Sequence, residues 1–426
     1  MYVVRGTTLV YGSRWREAAV HPWPPIGENI ARLRCLADLT QEELAEKAGV
    51  SADLIRRLEQ TSRLTARIAS LYRIANALDV SLSVLLVQPN VLRPSERDPE
   101  QGGMLAVRQA LTPVKNGIAH ADQEPEGLSA AELQRSAQEG WRLYHSGKFS
   151  MLAALLPELI SAGERATQQL TGQQRAEAFA ALANFYQVAA SLVTQLGHED
   201  LAFIAVQKAI VAADHADDPN LAAVIFTTLS WVLLCQGRLA EAEQVALDTA
   251  NDYEPSFAKA TPVELSVWSL LLGGGMWAAS RNDKHAQAAD ILSLIQAAAH
   301  RVGEDRYDYC QPFGPTVVAI QTVALAVDRG DSGRALQLTQ QVPKTGKVPL
   351  RVTTRYLLDV ALAQCLENKN ADALTSLLEV RELAPEWMRY QVLAREITRA
   401  LLTKQGATRS RLPGLRELAT FLGVAD

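Results

Sequence analysis

A chain of 426 residues, 48% of them apolar, is too long for one ordinary domain, so two or three are expected. Its net charge of −5 and pI of about 5.9 exclude a protein that grips nucleic acid through bulk basicity. Any DNA contact has to come from charge placed locally.

Residues 1–25 form an N-terminal extension with Tyr2, Tyr11, Trp15, Trp23 and three prolines but no clear period. Val3-Val4 and Thr7 to Tyr11 are candidate short strands, and a packed extension and a disordered arm both remain open. Arg5, Arg14 and Arg16 read as solvated tail charges.

Residues 26–87 read as five short helices around one small core. The first, 26–37, carries Ile30, Leu33 and Leu36 at helical spacing. Thr40 and Glu43 make a T-x-x-E capping box that starts the second, 41–48. Gly49 can take the positive φ at which that helix stops, and Ser51 caps the third, 51–59, at once. Leu44, Ala48, Ile55 and Leu58 share one buried side, with Ala45 small where the helices cross. A fourth segment, 66–78, presents Ile68, Leu71, Ile74, Ala75 and Leu78 on one face, and Ser81 caps a fifth through Leu86. Two short helices about a turn at Ala48-Gly49-Val50 are a helix-turn-helix, whose second helix such units place in the major groove.

The run Ile26-Gly27-x-x-Ile30, Leu39-Thr40-Gln41-x-x-Leu44-Ala45, Ala48-Gly49-Val50-Ser51, Ile55-x-x-Leu58-Glu59 and Leu71-x-x-Ile74-Ala75 resembles the Cro/CI-like (Xre) DNA-binding domains of phage repressors. That resemblance implies that Ala52, Asp53 and Arg57 read base edges, with Arg56 also presented outward. Arg57 would bond guanine O6 and N7, Asp53 would accept from cytosine N4, and Ala52 would touch a thymine methyl. Gln41 and Ser51, at helix N-termini, suit phosphate oxygens. Arg63 and Arg67 match positions along the backbone or minor groove, and Lys47 and Arg73 are weaker candidates. Arg34 and Glu59 match a partly buried ion pair joining the first helix to the third, a structural role.

Residues 88–128, punctuated by Pro89, Pro94, Pro99, Pro113 and Pro125, read as a linker in which Met104 to Leu111 makes one helix. From 129 to 426 helix follows helix. A turn followed five residues later by alanine recurs at Gly197/Ala202, Gly237/Ala242, Asp283/Ala288, Gly330/Ala335 and Asn368/Ala373, with Gly147 heading an earlier turn without the alanine. Small residues at helix crossings after tight turns are what a helical-hairpin solenoid needs. The region resembles a degenerate tetratricopeptide array, with 415–422 as a capping helix; an irregular helical bundle is the alternative. The expected architecture is all-α: a lambda-repressor-like five-helix domain followed by a tetratricopeptide-like α-solenoid.

The cysteines Cys35, Cys235, Cys310 and Cys365 stand apart and read as buried small hydrophobes in a reducing compartment. The longest apolar stretches, Leu221 to Cys235 and Leu265 to Ala279, are short for a membrane span and read as buried helices. No signal peptide is recognised. A cytoplasmic chain without membrane span, cofactor or metal is expected. Gly273-Gly274-Gly275 lacks a preceding strand and a G-K-[ST], so it reads as close helix packing and not as a phosphate cradle. His145, His198, His215, His285 and His300 show no ligand spacing and read as surface or capping residues, and no catalytic constellation is present.

The first helix of each solenoid pair ordinarily lines a concave face, which brings Asn184, Gln187, Trp231, Trp268, Gln321 and Arg355 forward as effector contacts, with Thr228, Trp277, Tyr356 and Gln364 behind them. Residues 26–87 hold eight Lys/Arg and eight Asp/Glu, so a single copy should bind DNA weakly and a homodimer on a two-fold operator is expected. A helix-turn-helix unit ahead of such an array resembles the peptide-responsive bacterial regulators. The resemblance implies a transcription factor on double-stranded DNA, controlled by a peptide or small molecule in its helical region. The alternative is a scaffold that binds a protein partner and uses DNA only for location.

Overall fold

The computed structural model describes residues 26–60, 68–78, 80, 85, 99–113, 128–343, 348–408 and 412–424. The N-terminal extension, Arg63, Arg67 and all but Leu85 of the fifth expected helix lie outside them. Four helices follow the sequence pattern closely: α1 (Ile26–Leu36), α2 (Gln41–Ala48), α3 (Ala52–Glu59) and α4 (Ile68–Ala77). Thr40 and Glu43 exchange both capping-box bonds, Gly49 sits at φ 62°, and the Ser51 hydroxyl accepts from the Leu54 amide. Ile30, Leu44, Ile55, Ile74 and Leu85 form the fully buried centre. Asn29 is buried among them and donates its amide to the Leu85 carbonyl at 2.7 Å, which ties α1 to the far end of the domain.

The span read as linker contains α5 (Pro99–Leu111), five residues longer at its start than expected. Val107 and Leu111 are fully buried in the core of the helical region, so this helix packs there. The array then runs in hairpins: α6 (Ala130–His145) with α7 (Phe149–Gln169), α8 (Gly172–Gln195) with α9 (Glu199–Ala213), α10 (Pro219–Cys235) with α11 (Leu239–Asp252), α12 (Pro262–Arg281) with α13 (His285–Val302), α14 (Pro315–Asp328) with α15 (Ser332–Leu338), and α16 (Leu350–Leu366) with α17 (Asn370–Leu383). Helices α18 (Pro385–Arg389), α19 (Val392–Thr408) and α20 (Leu415–Phe421) complete it.

One turn geometry joins every pair. Gly147, Gly197, Gly237, Asp283, Gly330 and Asn368 all adopt positive φ. The next residue's amide then reaches back to the helix, as from Arg238 to the Leu233 carbonyl at 3.0 Å and from Lys284 to Ala279 at 2.9 Å. This bond satisfies carbonyls that the helix end leaves open. The five recurring alanines, Ala202, Ala242, Ala288, Ala335 and Ala373, are each completely buried where their helix meets its partner. The protein is thus a helix-turn-helix domain followed by tetratricopeptide-like helical hairpins.

The array also returns on itself. Arg351 at the start of α16 lies 5.2 Å from the Tyr144 ring on α6, and Glu386 on α18 accepts from the Ser150 hydroxyl at 2.6 Å. Into the interior projects a two-stranded hairpin, β1 (Arg306–Asp308) paired antiparallel with β2 (Gln311–Phe313). Its tip residues Tyr309 and Cys310 both hold positive φ. His145 donates from Nε2 to the Cys310 carbonyl at 2.9 Å, and the Tyr309 hydroxyl meets both carboxylate oxygens of Asp218 at 3.0 Å. His145 is therefore a buried anchor and not a surface or capping residue; burial, then the charge of Arg351, pulls its pKa down to about 3.

Two other sequence expectations change. Cys35 is exposed, because it falls on the outer side of α1, whereas Cys365 is buried. Helix α8, Gly172–Gln195, is long and apolar enough to cross a membrane, yet 72% of its apolar window is buried inside the protein. Its hydropathy is that of a central core helix.

Candidate nucleic-acid interface

Helix α3 buries Ile55 and Leu58 and turns Asp53, Arg56 and Arg57 outward, because a 3.6-residue period puts those sets on opposite sides. Arg57 and Asp53 pair at 2.9 Å along the helix with 57% and 56% of their side chains exposed. Arg56 meets Glu42 of α2 at 3.4 Å, also in solvent. Exposed pairs of this kind hold by no more than about 1 kcal/mol, so both guanidiniums can exchange partners. Ala52 is half-buried, leaning partly on the domain core, and Lys47 is exposed.

Behind this surface lies a compact polar joint. Arg34 forks onto Glu59 through Nε at 2.7 Å and Nη2 at 2.9 Å, and donates Nη1 to the Leu39 carbonyl at 2.8 Å. The carboxylate raises the Arg34 pKa, chiefly through these hydrogen bonds. Gln41 donates its amide to the same carboxylate at 2.7 Å, so in the free chain its side chain is engaged within the domain. Gly27 makes the joint possible, since a Cβ there would stand 1.8 Å from the Leu58 carbonyl oxygen. Ile26-Gly27 at the head of α1 carried this signal in the sequence.

The six residues brought forward as effector contacts do not form one open face. Gln187 is fully buried between α8 and α10, donating to Thr228 at 2.9 Å while its Oε1 has no partner among the described residues. Trp268 is buried in the second core of the array and Trp231 packs against the first. Asn184 accepts from the Trp141 indole at 3.1 Å. Gln321 on α14 keeps a buried Oε1 with no partner among the described residues. Arg355 pairs with the buried Asp359 at 3.0 Å, where burial raises the carboxyl pKa against the opposing pull of Arg355. The concave face expected of an open solenoid is thus largely taken up by the chain's own packing.

Sequence reasoning passed over Tyr72. It follows Leu71 on α4, off the stripe that faces the domain core, and is almost fully buried against α10 and α12 of the array. A large aromatic off the apolar stripe is the signal that marks it. Its neighbour Arg73, a weaker DNA candidate, pairs instead with Asp283 at the α12–α13 turn at 3.1 Å.

Residues 30–85, a span that includes both α2 and α3, match the helix-turn-helix family, a DNA-binding module of the Cro/CI type. No curated protein matches the chain. Among solved structures the chain is similar to Pseudomonas aeruginosa pilF, at 18% identity over 62% of this chain and 98% of that one, TM-score 0.32. It is also similar to Bacillus thuringiensis PlcR solved with a peptide and DNA, at 12% identity over 66% and 98%, TM-score 0.26. A PrgX mutant aligns at 10% identity over 93% and 99%, TM-score 0.26. These superpositions are loose, so the description of the array rests on its own turns and buried alanines.

Proposed function

We propose that the protein is a sequence-specific transcriptional regulator that reads the major groove with α3 and works as a homodimer. The observation that carries this reading is the outward set Asp53, Arg56 and Arg57 on a short helix capped by Ser51, inside a matched helix-turn-helix. Arg57 releases Asp53 to meet a guanine edge, and Asp53 then accepts from cytosine or rejects other bases. Gln41, Ser51, Arg63 and Arg67 serve the phosphates. Balanced charge in residues 26–87 makes one copy a weak binder, which favours two copies on a two-fold site. The helical array acts in pairing and in sensing a peptide or small molecule.

The test is selection of bound sequences from random DNA, followed by titration of the selected site. Arg57→Ala should lose about 10- to 100-fold of discrimination at one base pair, the worth of one bidentate contact. Full retention of site preference by that variant would remove α3 from the role of reader. Sedimentation showing only monomer at micromolar concentration, together with tight operator binding, would defeat the dimer.

A further inference from the structure

The described part of the helix-turn-helix domain meets the array at one small place. Tyr72 is its one described side chain in the main core of the array, and its hydroxyl donates to the Leu234 carbonyl at the end of α10. Arg281, the last residue of α12, lies 5.8 Å from the Tyr72 ring centre and donates Nη1 to the Tyr72 oxygen at 3.3 Å. Arg73 reaches Asp283 at 3.1 Å. The α10–α11 turn receives α4 at Gly237, where a Cβ would stand 3.2 Å from Asn76 Oδ1 and 3.3 Å from the Tyr72 ring. Around these contacts a cavity of about 300 Å³ remains, bordered by Tyr72, Asn76, Arg238, Leu239 and Arg281.

Those features belong to a catch and not to a permanent weld. A fused interface is packed to interior density, whereas this one leaves space for several waters beside its central tyrosine. Small, polar junctions between domains permit relative motion unless something pins them. The pin here is specific: a buried hydroxyl with two partners, an ion pair, and a turn kept clear by a missing side chain. Asp53 and Arg57 stay exposed while α4 is docked, so docking leaves the reading surface uncovered and sets its direction. Arg281 also faces Asp328 and Asp359, the latter holding Arg355, so the pin ends in the charged interior of the array.

We infer that Tyr72, seated against Leu234, Arg281 and Gly237, is a latch that fixes the DNA-binding domain in one orientation on the array. Its second consequence rests on the DNA-binding reading: a fixed orientation lets a dimer engage two half-sites without ordering its domains at that moment. Unlatching should therefore weaken binding to a paired site and spare binding to a single half-site.

A matched pair of glycines tests this in the full-length protein. Gly237→Ala and Gly197→Ala place the same strain in the same kind of turn, at φ 81° and 79°, but only position 237 has neighbours within 4 Å of the new Cβ. Hydrogen exchange should speed up in 68–78 and 236–241 for Gly237→Ala alone, and small-angle scattering should show that variant alone as larger. Tyr72→Phe, which keeps the ring, should raise exchange in the same two segments by about tenfold, as losing a hydrogen bond from a buried hydroxyl implies. Equal behaviour of the two alanine variants, or wild-type exchange in Tyr72→Phe, overturns the latch. Paired-site affinity should fall several-fold for Gly237→Ala against Gly197→Ala; unchanged or tighter binding overturns the orienting role. Wild-type protein that binds no DNA would refute the proposed function, while the exchange comparison would still decide the latch.

Discussion

Replacing Glu59 by alanine should cost the helix-turn-helix domain more than any exposed change on α3. The Glu59 carboxylate accepts three bonds, from Arg34 Nε at 2.7 Å, Arg34 Nη2 at 2.9 Å and Gln41 Nε2 at 2.7 Å. Only 7% of its side chain and 15% of that of Arg34 meet solvent. Stranding one partner of a fully buried pair costs about 3–5 kcal/mol. Access of water at the Arg34 edge brings the expected loss here to about 2–3 kcal/mol. For a domain of this size each kcal/mol lowers the midpoint by about 4–8 °C, so the loss corresponds to roughly 10–20 °C. Scanning calorimetry of the full chain, with hydrogen exchange read over 26–60, measures it. A double-mutant cycle with Arg34→Ala should be strongly non-additive, because both variants remove one interaction. A Glu59→Ala domain within about 0.5 kcal/mol of wild type, or additive losses, would falsify the account of the joint.

Other expectations follow from local geometry. Gly273→Ala, whose Cβ meets nothing within 4 Å, should raise the unfolding free energy by about 0.5–1 kcal/mol of helix propensity. Gly274→Ala puts a methyl 2.8 Å from Ser230 Oγ and 3.1 Å from Ala246 Cβ, and should lose about 1–3 kcal/mol; the reverse order in urea unfolding refutes the packing role of this glycine run. The folded state keeps His145 neutral down to about pH 3, whereas a free histidine protonates near 6.5. Its contribution is thus complete above about 6.5 and lost as pH falls from there, and His145→Gln, which keeps a donor for Cys310, should flatten acid unfolding over that interval. Glu43, Glu132 and Glu264 are held below the ordinary glutamate range mainly by bonds from Thr40, Ser129 and Thr261. Their stabilisation is present above that range and lost on acidification through it, so a triple Glu→Gln variant should show a shallower decline in helix content when titrated by circular dichroism.

Local signals proved the legible ones. Thr40, Glu43, Gly49 and Ser51 act on their own neighbours, so their spacing alone announces where α2 ends and α3 begins. The turns at Gly197, Gly237, Asp283, Gly330 and Asn368 and the alanines five residues on are local in the same sense, and all take the same backbone geometry and burial. The burial of His145 and of Gln187 was not legible, because a single polar residue carries no record of its distant partner, Cys310 or Thr228.

The sequence by itself determined the helices, their caps, the hairpin period and which face of α3 points outward, since each depends on contacts within a few residues. Only the tertiary structure decided that the array returns on itself around the 306–313 hairpin and that Tyr72 pins the DNA-binding domain at Leu234. Those pairings join residues more than 160 positions apart. They arise from how finished helices pack, which no short-range pattern encodes.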